Sequence, residues 1–170
     1  MDRYTLDPRH SQLHVEIDHM AGAVSVLTIR FTDITGTWTW DKSAGRGSLV
    51  ASLDAKSLSS GLPGGDEILG SDKVWNVARF PTMVIAAQAL PTGPAPSLAA
   101  GTLTMMEVTG PVDWQVLSVR TGINRRLNKE VTGIRLTGAV RRSAFGMDVA
   151  TYTSLADEVR FALNLEAIID

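Results

Sequence analysis

The chain has 170 residues, no cysteine, and a formal charge of −2 from 16 basic and 18 acidic side chains. Its length suits one domain over residues 1–170 that buries roughly 70% of the surface of its unfolded chain. The missing thiols exclude a disulfide scaffold, a zinc–thiolate site and a cysteine nucleophile, and the lack of a basic surplus argues against nucleic acid or an anionic membrane as partner.

The opening Met1-Asp2-Arg3-Tyr4-Thr5-Leu6-Asp7-Pro8-Arg9-His10-Ser11 is polar and lacks the basic-then-apolar order of a signal peptide. No apolar run approaches the ~20 residues that cross a bilayer. A cytoplasmic protein without stable membrane insertion is therefore expected. A first strand is predicted over Gln12 to Ile17, with Leu13, Val15 and Ile17 on one face. A long extended stretch follows from Val24 to Trp40, with Trp38 and Trp40 on a common face and Gly36 as its interruption. After a turn at Ala44 to Gly47, Leu49, Ala51 and Leu53 alternate to Asp54. Ser57 to Phe80 breaks the period and reads as a helical insert, with Asp66 and Ser71 as N-caps of two short turns.

Met83, Ile85 and Ala87 restart the strand pattern as far as Leu90, and Pro91 to Ser97 reads as a loop. A strand is predicted from Gly101 to Val108, a turn at Gly110-Pro111, and a further strand through Val112, Trp114 and Val116. Thr121 to Lys129 reads as a polar loop. Ile134, Leu136 and Val140 mark the next strand, Ala144 to Met147 a break, and Tyr152 to Leu155 a loop. The last strand is the clearest: Val159, Phe161, Leu163, Leu165 and Ala167 alternate with Arg160, Ala162, Asn164 and Glu166. Period-two patterning, frequent turns and a count of about eight strands predict an all-β, eight-stranded antiparallel barrel with a short helical insert, whose interior suits one small ligand.

The blocks between strands are similar to those of a known family. Tyr4-Thr5-Leu6-Asp7 with Ser11, then Asp18-His19, Phe31-Thr32-Asp33-Ile34-Thr35-Gly36, Asp66-Glu67 with Leu69 and Ser71-Asp72, Ala78-Arg79-Phe80-Pro81, Gly101 to Thr109 and Arg142 to Met147 stand in the order found in the YceI-like family. The chain therefore resembles these lipocalin-like polyisoprenoid-binding proteins over nearly its whole length. It departs from the pattern at Gly65, where the family often has Arg, at Ile68, where it often has His, and at Ile29 and Glu107, where glycine is frequent. The resemblance implies a lipocalin-like barrel enclosing an apolar channel for a long isoprenoid chain.

His10, His14 and His19 are close in sequence, but His14 and His19 are an odd number of positions apart and point to opposite faces of a strand, so no metal site is read. No nucleophile elbow occurs, and the pairs Asp66-Glu67 and Asp157-Glu158 point apart or lie at a helix end, so no catalytic residue is assigned. The aromatic side chains have two readings, packed core or channel wall. Ala51, Ala87, Thr102, Thr104, Gly138 and Ala162 are too small to fill a wide core, which favours a cavity. Phe31, Trp38, Trp40, Trp75, Phe80, Leu103, Trp114 and Phe145 are the lining candidates, and Arg142 is the headgroup candidate. The expected function is binding, with transport or storage, of a long apolar isoprenoid lipid or quinone, with no further cofactor. An enzyme acting on a lipophilic substrate in the same cavity and a stress-related structural or interaction protein with a filled core are the alternatives. Exposed strand faces leave a homodimer open.

Overall fold

The computed structural model describes residues 1–20, 24–92, 96–147 and 154–170. The loops expected at Pro91 to Ser97 and Tyr152 to Leu155 lie partly outside these residues. The described strands are β1 (Asp2–Leu6), β2 (Gln12–His19), β3 (Ser25–Phe31), β4 (Ile34–Asp41), β5 (Arg46–Asp54), β6 (Leu58–Ser59), β7 (Thr82–Pro91), β8 (Ser97–Met105), β9 (Val108–Asn124), β10 (Lys129–Arg141) and β11 (Leu155–Ile169). One short helix, α1 (Gly65–Gly70), and two 3-10 turns, Ala55–Ser57 and Arg142–Phe145, complete them. All strand pairs are antiparallel, and β1-β4-β5-β7-β8-β9-β10-β11 close on themselves through β1–β11. The fold is the expected eight-stranded lipocalin-like barrel.

The alternation that predicts β11 governs its packing, since Val159, Phe161, Leu163, Leu165 and Ala167 are all buried. Two strand positions of the ring are divided. β1 and β2 lie end to end along one edge of β11, pairing with Ala167–Ile169 and Leu155–Asn164 respectively. β3 and β4 continue one another on the next position, facing β2 and β1. The sequence reading misses β1 because its five residues carry only two buried positions, Tyr4 and Leu6. It also places the break at Gly36, whereas the strand pattern is interrupted at Thr32 and Asp33, whose N–H groups both donate to Ser57 Oγ. Gly36 instead stays in register inside β4, where a Cβ would stand 2.2 Å from the Val50 carbonyl oxygen.

Other boundaries move for local reasons. Gly110 and Pro111 pair with Leu103 and Thr102 inside β9, and the turn lies at Met106 and Glu107, both with positive φ. This is the geometry of a tight two-residue hairpin, which Asn-Gly ordinarily announces and Met-Glu does not. The Thr121–Lys129 loop contracts to residues 125–128, because Asn124 Oδ1 accepts from the Arg126 and Leu127 N–H groups. In the insert, α1 begins after Gly64. Asp66 sits in its first turn and reaches back to accept from Ser60 N and Oγ, both at 2.6 Å. Ser71 ends the helix, with its hydroxyl donating to the Ile68 carbonyl.

The β1–β2 junction explains the opening motif. Asp7 N donates to the Glu166 carbonyl, and Ser11 Oγ both donates to that carbonyl and accepts from Glu166 N. The buried Asp7 carboxylate accepts from Arg9 N, Nε and Nη2 and lies 2.9 Å from His10 Nδ1. The Arg9 side chain holds the Asp7 pKa down at about 2, against 3.8 for a free carboxyl. A group depressed in the folded state stabilises above its unfolded pKa and loses that contribution as pH falls through its folded one. Asp7→Asn is therefore expected to cost about 2 kcal/mol at neutral pH. In urea unfolding repeated between pH 7 and pH 2, the gap between the variant and the parent should close only as pH drops below about 4. A gap that stays constant would show that the carboxylate charge is not the cause.

The interior is filled by matching large side chains to glycines. The indole of Trp114 lies against Gly101 and Gly138, where added Cβ atoms would come within 2.6 and 2.8 Å of it. Its Nε1 donates to the Ala86 carbonyl. Trp38 covers Gly47 in the same way, with a Cβ there falling 2.0 Å from the ring. Among the described residues, the small residues that favour a cavity in the sequence reading thus leave none inside the ring. Gly138 is occupied by an indole, Ala51 and Ala87 are fully packed, and Thr102, Thr104 and Ala162 alternate to the outer face. At the end of the ring near β1, Tyr4 donates to Glu130, and Lys42 bridges Asp2 and Glu130 while lying 5.1 Å above Trp40.

Candidate functional site

The opposite end is built differently. β2 and β3 extend the wall beyond Ile34, the first residue of β4, but among the described residues β3 pairs on its outer side only at Arg30 and Phe31, with Ser59 and Leu58. The insert lies beside the remaining β3 edge. Its Leu69, Val74 and Trp75 are buried, and Trp75 meets the Phe31 ring edge-on at 5.8 Å. Trp75 N donates to the Leu69 carbonyl, which fixes the indole beneath α1.

A cavity of about 550 Å³ lies between the β3 edge and α1. Its walls are mainly aliphatic: Val26, Leu27, Leu62, Ile68, Leu69 and Leu155. Val26, Leu62 and Ile68 are each about half exposed and form an apolar rim. His19 and Ser25, within 3.4 Å of each other, supply part of the polar margin. Going down the inward row of β3, Leu27 belongs to the cavity while Ile29 and Phe31 are fully buried. The cavity therefore ends within one residue pair, at Leu27 and Leu69, with Ile29, Phe31 and Trp75 packed beyond it.

The sequence-derived candidates fall at several levels. Phe31 and Trp75 pack under the insert, and Phe145 is buried on the 3-10 turn Arg142–Phe145, over Gly110. Phe80 is half-buried at the end of the insert, with the Arg79 guanidinium 5.0 Å from its ring. Leu103 and Trp114 are fully buried on the barrel wall, Trp38 lies closer to the β1 end, and Trp40 is half-buried beneath Lys42. None of these eight borders the cavity between β3 and α1.

Arg142 is buried, and its Nε and Nη2 donate to the Ala156 and Leu155 carbonyls, both at 2.9 Å. Leu155 is a cavity residue, so Arg142 stands directly behind that wall. His14 and His19 remain apart, while His10 joins Asp7 and Glu166 on the outside. There both Asp7 oxygens already accept from Arg9.

The cavity residues escape the sequence reading because they come from three distant segments, and the blocks that hold His19 and Leu69 do not convey that the two meet. Two departures from the family pattern do point to them: Gly65 and Ile68 both line the cavity.

The YceI-like domain pattern matches residues 4–167 of the chain. No curated relative matches it in sequence. Among solved structures, BcnA of Burkholderia cenocepacia is similar with a TM-score of 0.77 at 17% identity, over 95% of this chain and 98% of that one. A polyisoprenoid-binding domain from Saccharophagus degradans, implicated in plant cell wall breakdown, gives 0.74 at 15% identity over the full length of both. The Campylobacter jejuni YCEI protein gives 0.67 at 20% identity, over 85% of this chain and 86% of that one. At these identities the likeness carries the fold.

Proposed function

The chain belongs to the YceI-like domain family, and from that membership we propose that it binds the apolar chain of an isoprenoid lipid or quinone, for transport or storage, without making or breaking a bond. The aliphatic cavity between the β3 edge and α1, on a barrel otherwise closed by packed side chains, is the observation that supports this reading. Each methylene moved from water into such walls contributes about 0.8 kcal/mol. A prenyl chain offers no hydrogen bonds, so shape and length would set selectivity. The polyisoprenoid-binding domain among the similar folds favours the same ligand class.

The filled interior favours a second reading, a structural or interaction protein with no lipid ligand. Organic extraction of the purified protein, followed by mass spectrometry, separates the two. A prenyl lipid near one equivalent is expected. Protein that yields none, and that takes up no added prenyl alcohol or quinone in equilibrium dialysis, would exclude lipid binding and leave the second reading.

A further inference from the structure

Resting on the binding reading above, we propose that the cavity selects a short, uncharged prenyl compound, of about three or four isoprene units, over long or phosphorylated ones. The length follows from the space. At about 30 Å³ of liquid volume per water-sized group, the 550 Å³ recess holds about 18 such groups. Beyond its floor, Ile29, Phe31 and Trp75 have at most 1% of their surface exposed, and Trp114 and Trp38 are fully packed farther along the barrel. A longer chain finds no further room without moving the Phe31–Trp75 pair.

The charge follows from the walls. Among the described residues His19 is the ionisable side chain on the cavity surface. Asp66 and Glu67 lie in the first turn of α1, adding negative charge beside the rim. Arg142, the cation behind the Leu155 wall, has its guanidinium turned to the Leu155 and Ala156 carbonyls. A diphosphate placed at this rim would give up water for aliphatic contacts and face carboxylates. A hydroxyl or a quinone carbonyl needs only one polar partner, and His19 and Ser25 stand at the margin.

The test is a competition assay with prenyl alcohols of two to ten isoprene units, and with the diphosphate of the best length. Affinity should rise by up to about 1,000-fold per unit while all five added carbons are buried, then change less than about threefold per unit once the cavity is full. The diphosphate should bind at least tenfold more weakly than its alcohol. Ile68→Arg places a cation on the half-exposed rim without touching the core and should reverse that order. Ile68→Trp, which fills the cavity, should move the plateau to shorter chains. Affinity that climbs steadily to ten units, or a diphosphate that binds the parent protein as well as its alcohol, would overturn this proposal while leaving lipid binding intact. Failure of every alcohol and quinone to bind would instead remove the binding reading itself.

Discussion

Trp114→Ala is expected to cost about 3–5 kcal/mol of folding stability, the range for removing a large aromatic from a closed core. The indole is fully buried, packs against two glycines and spends its one donor on the Ala86 carbonyl. Its removal empties the middle of the barrel and leaves facing backbone with nothing to touch. The glycines test whether the fit is mutual. A Cβ at Gly138 would meet the Trp114 ring at 2.8 Å and Val112 at 3.0 Å, so Gly138→Ala alone should be destabilising by overpacking, about 1–3 kcal/mol. Combined with Trp114→Leu, Gly138→Ala should cost much less than it does alone, because the new methyl then occupies vacated space. Gly101→Ala should not be rescued in this way, since its Cβ would also strike the Ala86 carbonyl oxygen at 2.1 Å. Chemical denaturation of the parent and these variants measures all of this. Strict additivity of Gly138→Ala and Trp114→Leu would show that the two positions do not share one space.

Replacing Arg142 by Met should have a comparable effect, about 3 kcal/mol. The guanidinium satisfies two carbonyls at the start of β11, and hydrogen bonds to a charged donor are worth about 1.5–3 kcal/mol each. Met keeps the apolar stem and removes every donor, while Lys keeps the charge but not the planar fork and should recover only part of the loss. These losses should appear in the ligand-free protein. An Arg142→Met variant with parental stability but weakened binding of anionic prenyl compounds would assign Arg142 to ligand contact instead.

These two positions also show what the sequence conveys. The inward rows of β9 and β11 are legible because alternating burial requires alternating polarity, and Trp114 is read correctly as inward-facing. Its partner is not legible. Gly138 is a small residue on a strand in either case, and only the register of β9 against β10 brings it under the indole. The same limit hides the cavity. Val26 reads as part of the extended stretch from Val24 to Trp40 and Leu62 as part of the insert, and their meeting depends on the insert lying against β3. Arg142 stands in a recognisable block, yet its bonds to β11 arise from the return of a strand that begins thirteen residues later. The Met106–Glu107 hairpin is missed for a different reason: left-handed backbone there occurs without the residues that normally accompany it.

The seam between β1 and β11 has a kinetic consequence. Tyr4 pairs with Ile169 and Leu6 with Ala167, and Asp170 N donates to the Arg3 carbonyl, so the ring is sealed by the first and last of the described strands. During synthesis the first strand must wait for the last, and until then an open sheet carries an unsatisfied edge along both β1 and β10. Contacts this distant in sequence place the barrel among slow folders, and an unsealed edge invites pairing with another copy of the same unfinished sheet. Rapid capture of β11 by β10, across eleven paired positions, would shorten that exposure by presenting β1 with a preformed template.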